Sequence, residues 1–214
     1  CKPIKRAFTM SNHQAWSSLL ASIRQYYDKP QGLIPLHAPC FDEQEKALVV
    51  DTIDSTFVSS VGAYVDQFEQ AVAEFTGAKH AVAVVNGTMG LFLALKLVGV
   101  QPQDLVITQS LSFVATANAI KMHQAEPLFV DVGRDTLGLC PDALKAFLET
   151  ECETRNGVCI HRASGRVIRA CVPMHTLGFP ARVDRIADIC RKQSVALVED
   201  AAESLGSFYQ GRHT

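Results

Sequence analysis

"VALVEDAAESLGS", Val195–Ser207, is an apolar run that ends in two adjacent carboxylates, Glu199 and Asp200, before small residues and a glycine take over. A short run of β-forming apolar residues suits a strand buried on both faces. A carboxylate at the mouth of such a strand has to be solvated, paired or set against something positive. Asp200 therefore reads in two ways. It is either the N-cap of a helical turn beginning at Ala201, or the hydrogen-bond partner of a protonated ring nitrogen on a ligand.

The same pattern of strand, polar edge and helix repeats upstream. "HAVAVV" (His80–Val85), "DLVITQS", "EPLFVDV", "RACVPMH" and "VALVEDA" read as buried strands. Between them, "TMGLFLALKLVGV", "SFVATANAIKMHQ", "PDALKAFLETE" and "ARVDRIADICRKQ" carry helical spacing. Short apolar strands alternating with helices predict a largely parallel sheet covered on both faces. "VCIHRASGRVIRA" reads as a hairpin turning at Ser164-Gly165. Three helices precede the repeat. The first runs from Asn12 to Tyr27, and the second follows Asp42, which can cap it with Glu43 and Glu45 in its first turn. The third runs from Ala63 to Phe75 and stops at Gly77.

Composition bounds the function classes. The chain has 214 residues, 48% hydrophobic and 20% charged, with a formal net charge of -2. That balance points to neither a nucleic-acid surface nor an anionic membrane partner, and there is no apolar run long enough to span a bilayer. Seven cysteines, at positions 1, 40, 140, 152, 159, 171 and 190, include no C-x-x-C and no zinc-spaced Cys/His cluster. They read as reduced thiols in a cytoplasmic protein that binds no metal. The start lacks the long apolar core of a signal peptide, and "CKPIKRAFT" ahead of Met10 is set aside as upstream sequence.

Ligands of open parallel sheets sit beyond the carboxyl ends of the strands. That rule selects Asn86–Met89, Gln109–Phe113, Met174–Gly178 and Glu199–Glu203. In "VVNGTMG", Gly87 permits close approach and the N–H groups of Thr88 and Met89 can hold a phosphate at the positive end of a helix. The alternative is a plain turn capped by Thr88. Phe113 begins a helix beside a strand end, where an aromatic can cover a planar ligand or join the core. His175, in "PMHTLGFP", is a substrate contact or a satisfied loop histidine.

Taken in order, a phosphate turn, an aromatic lid and a ring-nitrogen acid on successive strand ends compose a pyridoxal 5′-phosphate site. Here the sequence resembles the DegT/StrS sugar aminotransferases of the fold-type-I pyridoxal phosphate class. "IPLHAPCFDEQEKALVVDTIDSTFVSSVG", "KHAVAVVNGTMGLFLAL", "SFVATANAI", "EPLFVDV" and "VALVEDAAESLGS" carry the likeness, in sequence order. The resemblance implies an α/β large domain, a mostly parallel mixed sheet between helices in a three-layer sandwich, over residues 33–214. Residues 1–32 would be an N-terminal extension and helix. It further implies that Gly87, Thr88 and Met89 bind the cofactor phosphate, that Phe113 stacks on the ring and that Asp200 meets its nitrogen. Glu203 falls where most members have Gln or His near the ring hydroxyl. With "VPMHTLGFP", it resembles the branch that aminates UDP-4-keto-6-deoxy-N-acetylhexosamines.

The implied function is transfer of an amino group from glutamate to a UDP-linked 4-keto-6-deoxy sugar in surface-glycan precursor synthesis, by a cytoplasmic homodimer. The family's Schiff-base lysine lies beyond the "EDAA" strand in a segment resembling S-F-x-x-x-K, and no lysine follows Lys192. The expectation is thus a chain truncated before that lysine, without the small C-terminal domain and inactive by itself. A sugar dehydratase of the same scaffold and a non-catalytic dimerisation or binding fragment are the alternative readings.

Overall fold

The computed structural model describes residues 13–35 and 38–214. The expected helix start at Asn12, the Cys1 thiol, and the question of Cys1 or Met10 as first residue lie outside the described residues. The chain divides into two compact units, Cys1–Ser59 and Ser60–Thr214.

The first unit holds α1 (His13–Tyr26) and α2 (Glu43–Asp54). Asp42 caps α2 by accepting from the Gln44 N–H at 2.7 Å, while the Glu45 carboxylate accepts from the Asp42 N–H at 2.6 Å. The two ends of this capping box satisfy donors that an uncapped first turn would leave open.

In the second unit α3 (Ala63–Thr76) ends on Gly77 at φ 74°, the left-handed conformation that glycine enters without steric cost. Then follow α4 (Gly87–Leu97), β1 (Leu105–Gln109), α5 (Val114–Met122), β2 (Glu126–Val130) and α6 (Pro141–Glu151). After them come β3 (Cys152–Arg155), β4 (Val158–His161), β5 (Ile168–Val172), α7 (Val183–Lys192) and β6 (Ala196–Leu197). A last small hairpin joins β7 (Phe208–Tyr209) to β8 (Arg212–His213).

Strands β2-β1-β5-β6 form one parallel sheet in that order. β1 lies inside it with every residue buried, which is why its sequence is a continuous run rather than an alternation. Pro127, which has no N–H to give a ladder, sits on the edge strand β2. Apolar side chains leave the sheet on both faces. Val106, Ala170, Val172 and Val198 pack with Leu95, Ala119 and Ile120 of α4 and α5. Leu105, Ile107 and Cys171 pack with Leu144, Leu148, Ile186 and Cys190 of α6 and α7. The result is the expected three-layer sandwich.

Two expectations need correction. His80–Val85 is not a strand: no described strand pairs with it, Val85 is 84% exposed, and the Ala83 N–H goes to the Glu69 carboxylate of α3 at 2.7 Å. An apolar run becomes a strand only where a neighbour accepts its backbone, and among the described residues no strand pairs with this one. The principal hairpin also lies earlier than expected. β3 and β4 pair across Asn156-Gly157, both at positive φ (52° and 77°), the two-residue turn that Asn-Gly favours. Ser164-Gly165 does turn the chain, but it carries one isolated bridge, Ile160 to Val167.

Four cysteines, Cys152, Cys159, Cys171 and Cys190, are buried in the α6/α7 layer as free thiols, and Cys40 is exposed. Burial, with the neighbouring Cys159 thiol, pushes Cys152 up to about 12. Ellman's reagent at mildly alkaline pH should therefore label Cys40 promptly and Cys152 only after denaturation. Ile107→Ala should cost about 2–5 kcal/mol, because it opens a cavity at a fully buried central position; a lower urea midpoint at unchanged slope is the measurement.

Candidate cofactor site

Strand alternation decides which way the acid pair points. In Val195–Val198, Val195 and Leu197 lie in the α6/α7 layer, and Ala196 and Val198 in the α4/α5 layer. Two residues on, Asp200 returns to the α4/α5 side and Glu199 to the other. Their partners agree. The Thr116 hydroxyl of α5 donates to Asp200 Oδ2 at 2.6 Å, whereas Glu199 Oε2 is 3.1 Å from His175 Nε2.

Asp200 is held at its backbone as well. Its N–H donates to the Pro173 carbonyl at 2.9 Å and its carbonyl accepts from the His175 N–H at 3.1 Å, so the β5–β6 pairing continues past both strands. The carboxylate is only 4% exposed. Its side-chain partners are neutral, Thr116 and the Ala202 N–H at 3.3 Å from Oδ1, and among the described residues no cation pairs with it. A buried carboxylate without a counter-ion is costly, so the site favours a positive group.

Phe113 occupies the N-cap position of α5, and the Thr116 N–H donates to its carbonyl at 3.2 Å. It thus stands one helical turn from Asp200's partner, at the same edge of the sheet, with its ring 65% exposed. The Asn86–Met89 turn belongs to the same layer: α4 packs on α5 and shares with it the core beneath Val198. The cap of α4 is Asn86, not Thr88, and it takes the Met89 N–H at 3.0 Å. Met89 is therefore not a free donor, while the Gly87 and Thr88 N–H groups have no protein partner among the described residues.

His175 corrects the sequence reading. It is fully buried; the Ala181 N–H donates to Nδ1 at 3.0 Å, so the ring proton sits on Nε2 and faces Glu199. Both nitrogens are committed to the protein, so the side chain fastens the loop before α7 and has no open face for a substrate. Glu203 is exposed and accepts the Leu177 N–H at 2.6 Å, in a turn where Leu177 itself holds φ 56°. Gly178 follows at φ 80°, and a Cβ there would meet the Glu203 carbonyl at 2.9 Å.

Sequence reasoning missed two residues, Thr116 and Gln109. Fully buried Gln109 donates from Nε2 to Thr176 Oγ1 and the Leu111 carbonyl, each at 2.8 Å, and its Oε1 accepts the Met174 N–H at 3.2 Å. A glutamine closing an otherwise apolar strand was the available signal.

Residues 39–214 match a known family along most of the chain. The chain belongs to the DegT/DnrJ/EryC1/StrS aminotransferase family. GDP-perosamine synthase of Caulobacter vibrioides is 34% identical over 179 residues, covering 84% of this chain and 44% of that protein. EpsN of Bacillus subtilis, a candidate pyridoxal phosphate-dependent aminotransferase by name, is 35% identical over 181 residues, covering 85% and 44%. Among solved structures, 3-amino-5-hydroxybenzoic acid synthase superposes with a TM-score of 0.70 at 30% identity, over 85% of this chain and 43% of that one. The chain thus spans about 44% of the length of the curated relatives it matches.

The fold is that of the fold-type-I pyridoxal phosphate aminotransferases, and pyridoxal 5′-phosphate is the cofactor of this DegT/DnrJ/EryC1/StrS chain's family. The residues present fit it. An acid lacking a cation, an exposed aromatic at the same edge and a helix start with open N–H groups match a ring nitrogen, a ring face and a phosphate. Gln109→Leu should strand the buried Met174 N–H and lower stability by about 1–3 kcal/mol, while Gln109→Glu, which replaces the donor with a buried carboxylate facing the Leu111 carbonyl, should lose at least as much in the same denaturant titration.

Proposed function

We propose that the protein transfers an amino group from glutamate to a UDP-linked 4-keto-6-deoxy sugar, and that this chain supplies the cofactor-binding side of the site. The observation that carries the reading is Asp200: a buried carboxylate, held at backbone and side chain, with no cation among the described residues to neutralise it. Pyridoxal phosphate, when bound, supplies an electron sink for breaking bonds at the amino-bearing carbon. Asp200 keeps a proton on the ring nitrogen, and Phe113 covers a ring face. The N–H groups of Gly87 and Thr88 and the Thr88 hydroxyl receive the phosphate at the positive end of α4. Met89 shapes that turn. The exposed Glu203 side chain is the proposed neighbour of the ring hydroxyl.

The UDP-linked sugar is supported by the resemblance of "EDAAESLGS" and "VPMHTLGFP" to that branch, and the relative named as a GDP-perosamine synthase supports a nucleotide sugar more broadly. A cytoplasmic homodimer is proposed from the same resemblance. No lysine follows Lys192, so binding of the cofactor by this chain is proposed to be non-covalent.

Titration of the chain with pyridoxal phosphate, followed by equilibrium dialysis, tests the reading. Asp200→Asn should weaken binding about tenfold, and Glu199→Gln, which faces the other layer, less than about twofold. Equal losses would assign the wrong carboxylate. Borohydride should leave no specific adduct by intact mass; stoichiometric labelling of one lysine would overturn non-covalent binding. Isotope-labelled glutamate with a UDP-linked 4-keto sugar, given to a protein of the relatives' full length that carries this chain, tests transfer. Label entering the sugar supports it, and loss of a sugar hydroxyl without label would indicate the dehydratase instead.

A further inference from the structure

The Thr116 hydroxyl is the strongest polar contact the structure gives Asp200, and nothing in the cofactor reading above uses it. Thr116 lies in the first turn of α5, is 1% exposed, and reaches across 84 positions of sequence to Oδ2 at 2.6 Å. Threonines at such positions ordinarily turn their hydroxyl back onto their own helix. This one leaves the helix to meet a carboxylate. Behind it, Ser112 Oγ lies 2.9 Å from Thr116 Oγ1 and 3.3 Å from Met174 Sδ.

An ionised carboxylate only accepts, so the single Thr116 proton goes to Asp200. Thr116 Oγ1 must then accept, and Ser112 is the donor beside it. The shortest proton order is Ser112 to Thr116 to Asp200; the other acceptors for the single Ser112 proton, the Phe113 carbonyl at 3.4 Å and Met174 Sδ at 3.3 Å, are longer. The last torsion of an aspartate is soft, so pinned backbone atoms alone do not fix the carboxylate plane. The Ala202 N–H, at 3.3 Å from Oδ1, is a long contact and constrains it weakly.

We infer that Thr116, backed by Ser112, is a positioning residue: it holds Oδ2 and so turns Oδ1 toward the cofactor's ring nitrogen. The inference rests on the pyridoxal phosphate reading of Asp200. It adds a hydroxyl pair that orients the acid before any ligand arrives. Preorganisation of this kind reduces what binding must spend on ordering.

The test is a double-mutant cycle on the chain, read as the dissociation constant of pyridoxal phosphate, with far-UV circular dichroism confirming the fold of each variant. Thr116→Val keeps shape and removes the hydroxyl; it should weaken binding about tenfold. Thr116→Ser keeps the hydroxyl and loses a methyl; it should stay within about twofold of the parent chain. Added to Asp200→Asn, Thr116→Val should cost less than about twofold more, because the two act through one contact. If Thr116→Val does not fold, Thr116→Ala makes the same comparison without the second methyl. Weak binding by Thr116→Ser equal to that of Thr116→Val would mean packing, not the hydroxyl, and would overturn the inference. So would full-strength binding by Thr116→Val alongside weak binding by Asp200→Asn, which leaves the cofactor reading standing. Absent binding by the parent chain, or binding indifferent to Asp200→Asn, overturns the cofactor reading and this inference together.

Discussion

Two backbone hydrogen bonds, from the Asp200 N–H to Pro173 and from the His175 N–H to Asp200, fix the geometry of the site. They extend the parallel β5–β6 register beyond the strands proper, and once made they leave little freedom. Asp200 must face α5, Glu199 must face the other layer, and His175 must turn inward toward Glu199 and Ala181. The chain after His175 is then forced through the positive-φ residues Leu177 and Gly178, against the Glu203 carbonyl. Gly138 packs into the same corner, where a Cβ would meet the Ala181 Cβ at 2.9 Å.

At this edge Gln109, Thr116, His175, Thr176 and Asp200 are polar yet buried, so each of them needs a protein partner. Gln109 supplies several at once, joining the end of β1 to Leu111, Met174 and Thr176. Thr116 and Ser112 do the same for Asp200. Their donors are neutral. They hydrogen-bond the charge without cancelling it, which leaves the buried acid with an electrostatic preference for a positive group. A lysine or arginine in place of Thr116 would satisfy the acid and close the site.

Helices were the most legible part of the sequence. Asp42 with Glu45, Gly77 behind α3, and Pro141 opening α6 are local signals that act within one turn, and each element appears where its signal stands. Strands were less so. "HAVAVV" has the composition of a buried strand but finds no partner among the described residues, because pairing depends on segments far away in sequence. The hairpin was misplaced despite the Asn156-Gly157 pair, a local turn signal with stronger strand support than Ser164-Gly165.

By itself the sequence determined the alternation of strands and helices, and hence a parallel sheet with chemistry at its carboxyl edge, because period and composition are local. It also marked Asp200, Phe113 and the Gly87 turn as residues of that edge. Only the tertiary structure decided what each side chain touches. His175 and Asp200 read alike in sequence, as polar residues just past a strand. One is sealed between Glu199 and Ala181, while the other is a buried acid that accepts from the Thr116 hydroxyl. That difference arises from register and layer, which bring together residues 84 positions apart, and no local pattern carries that information.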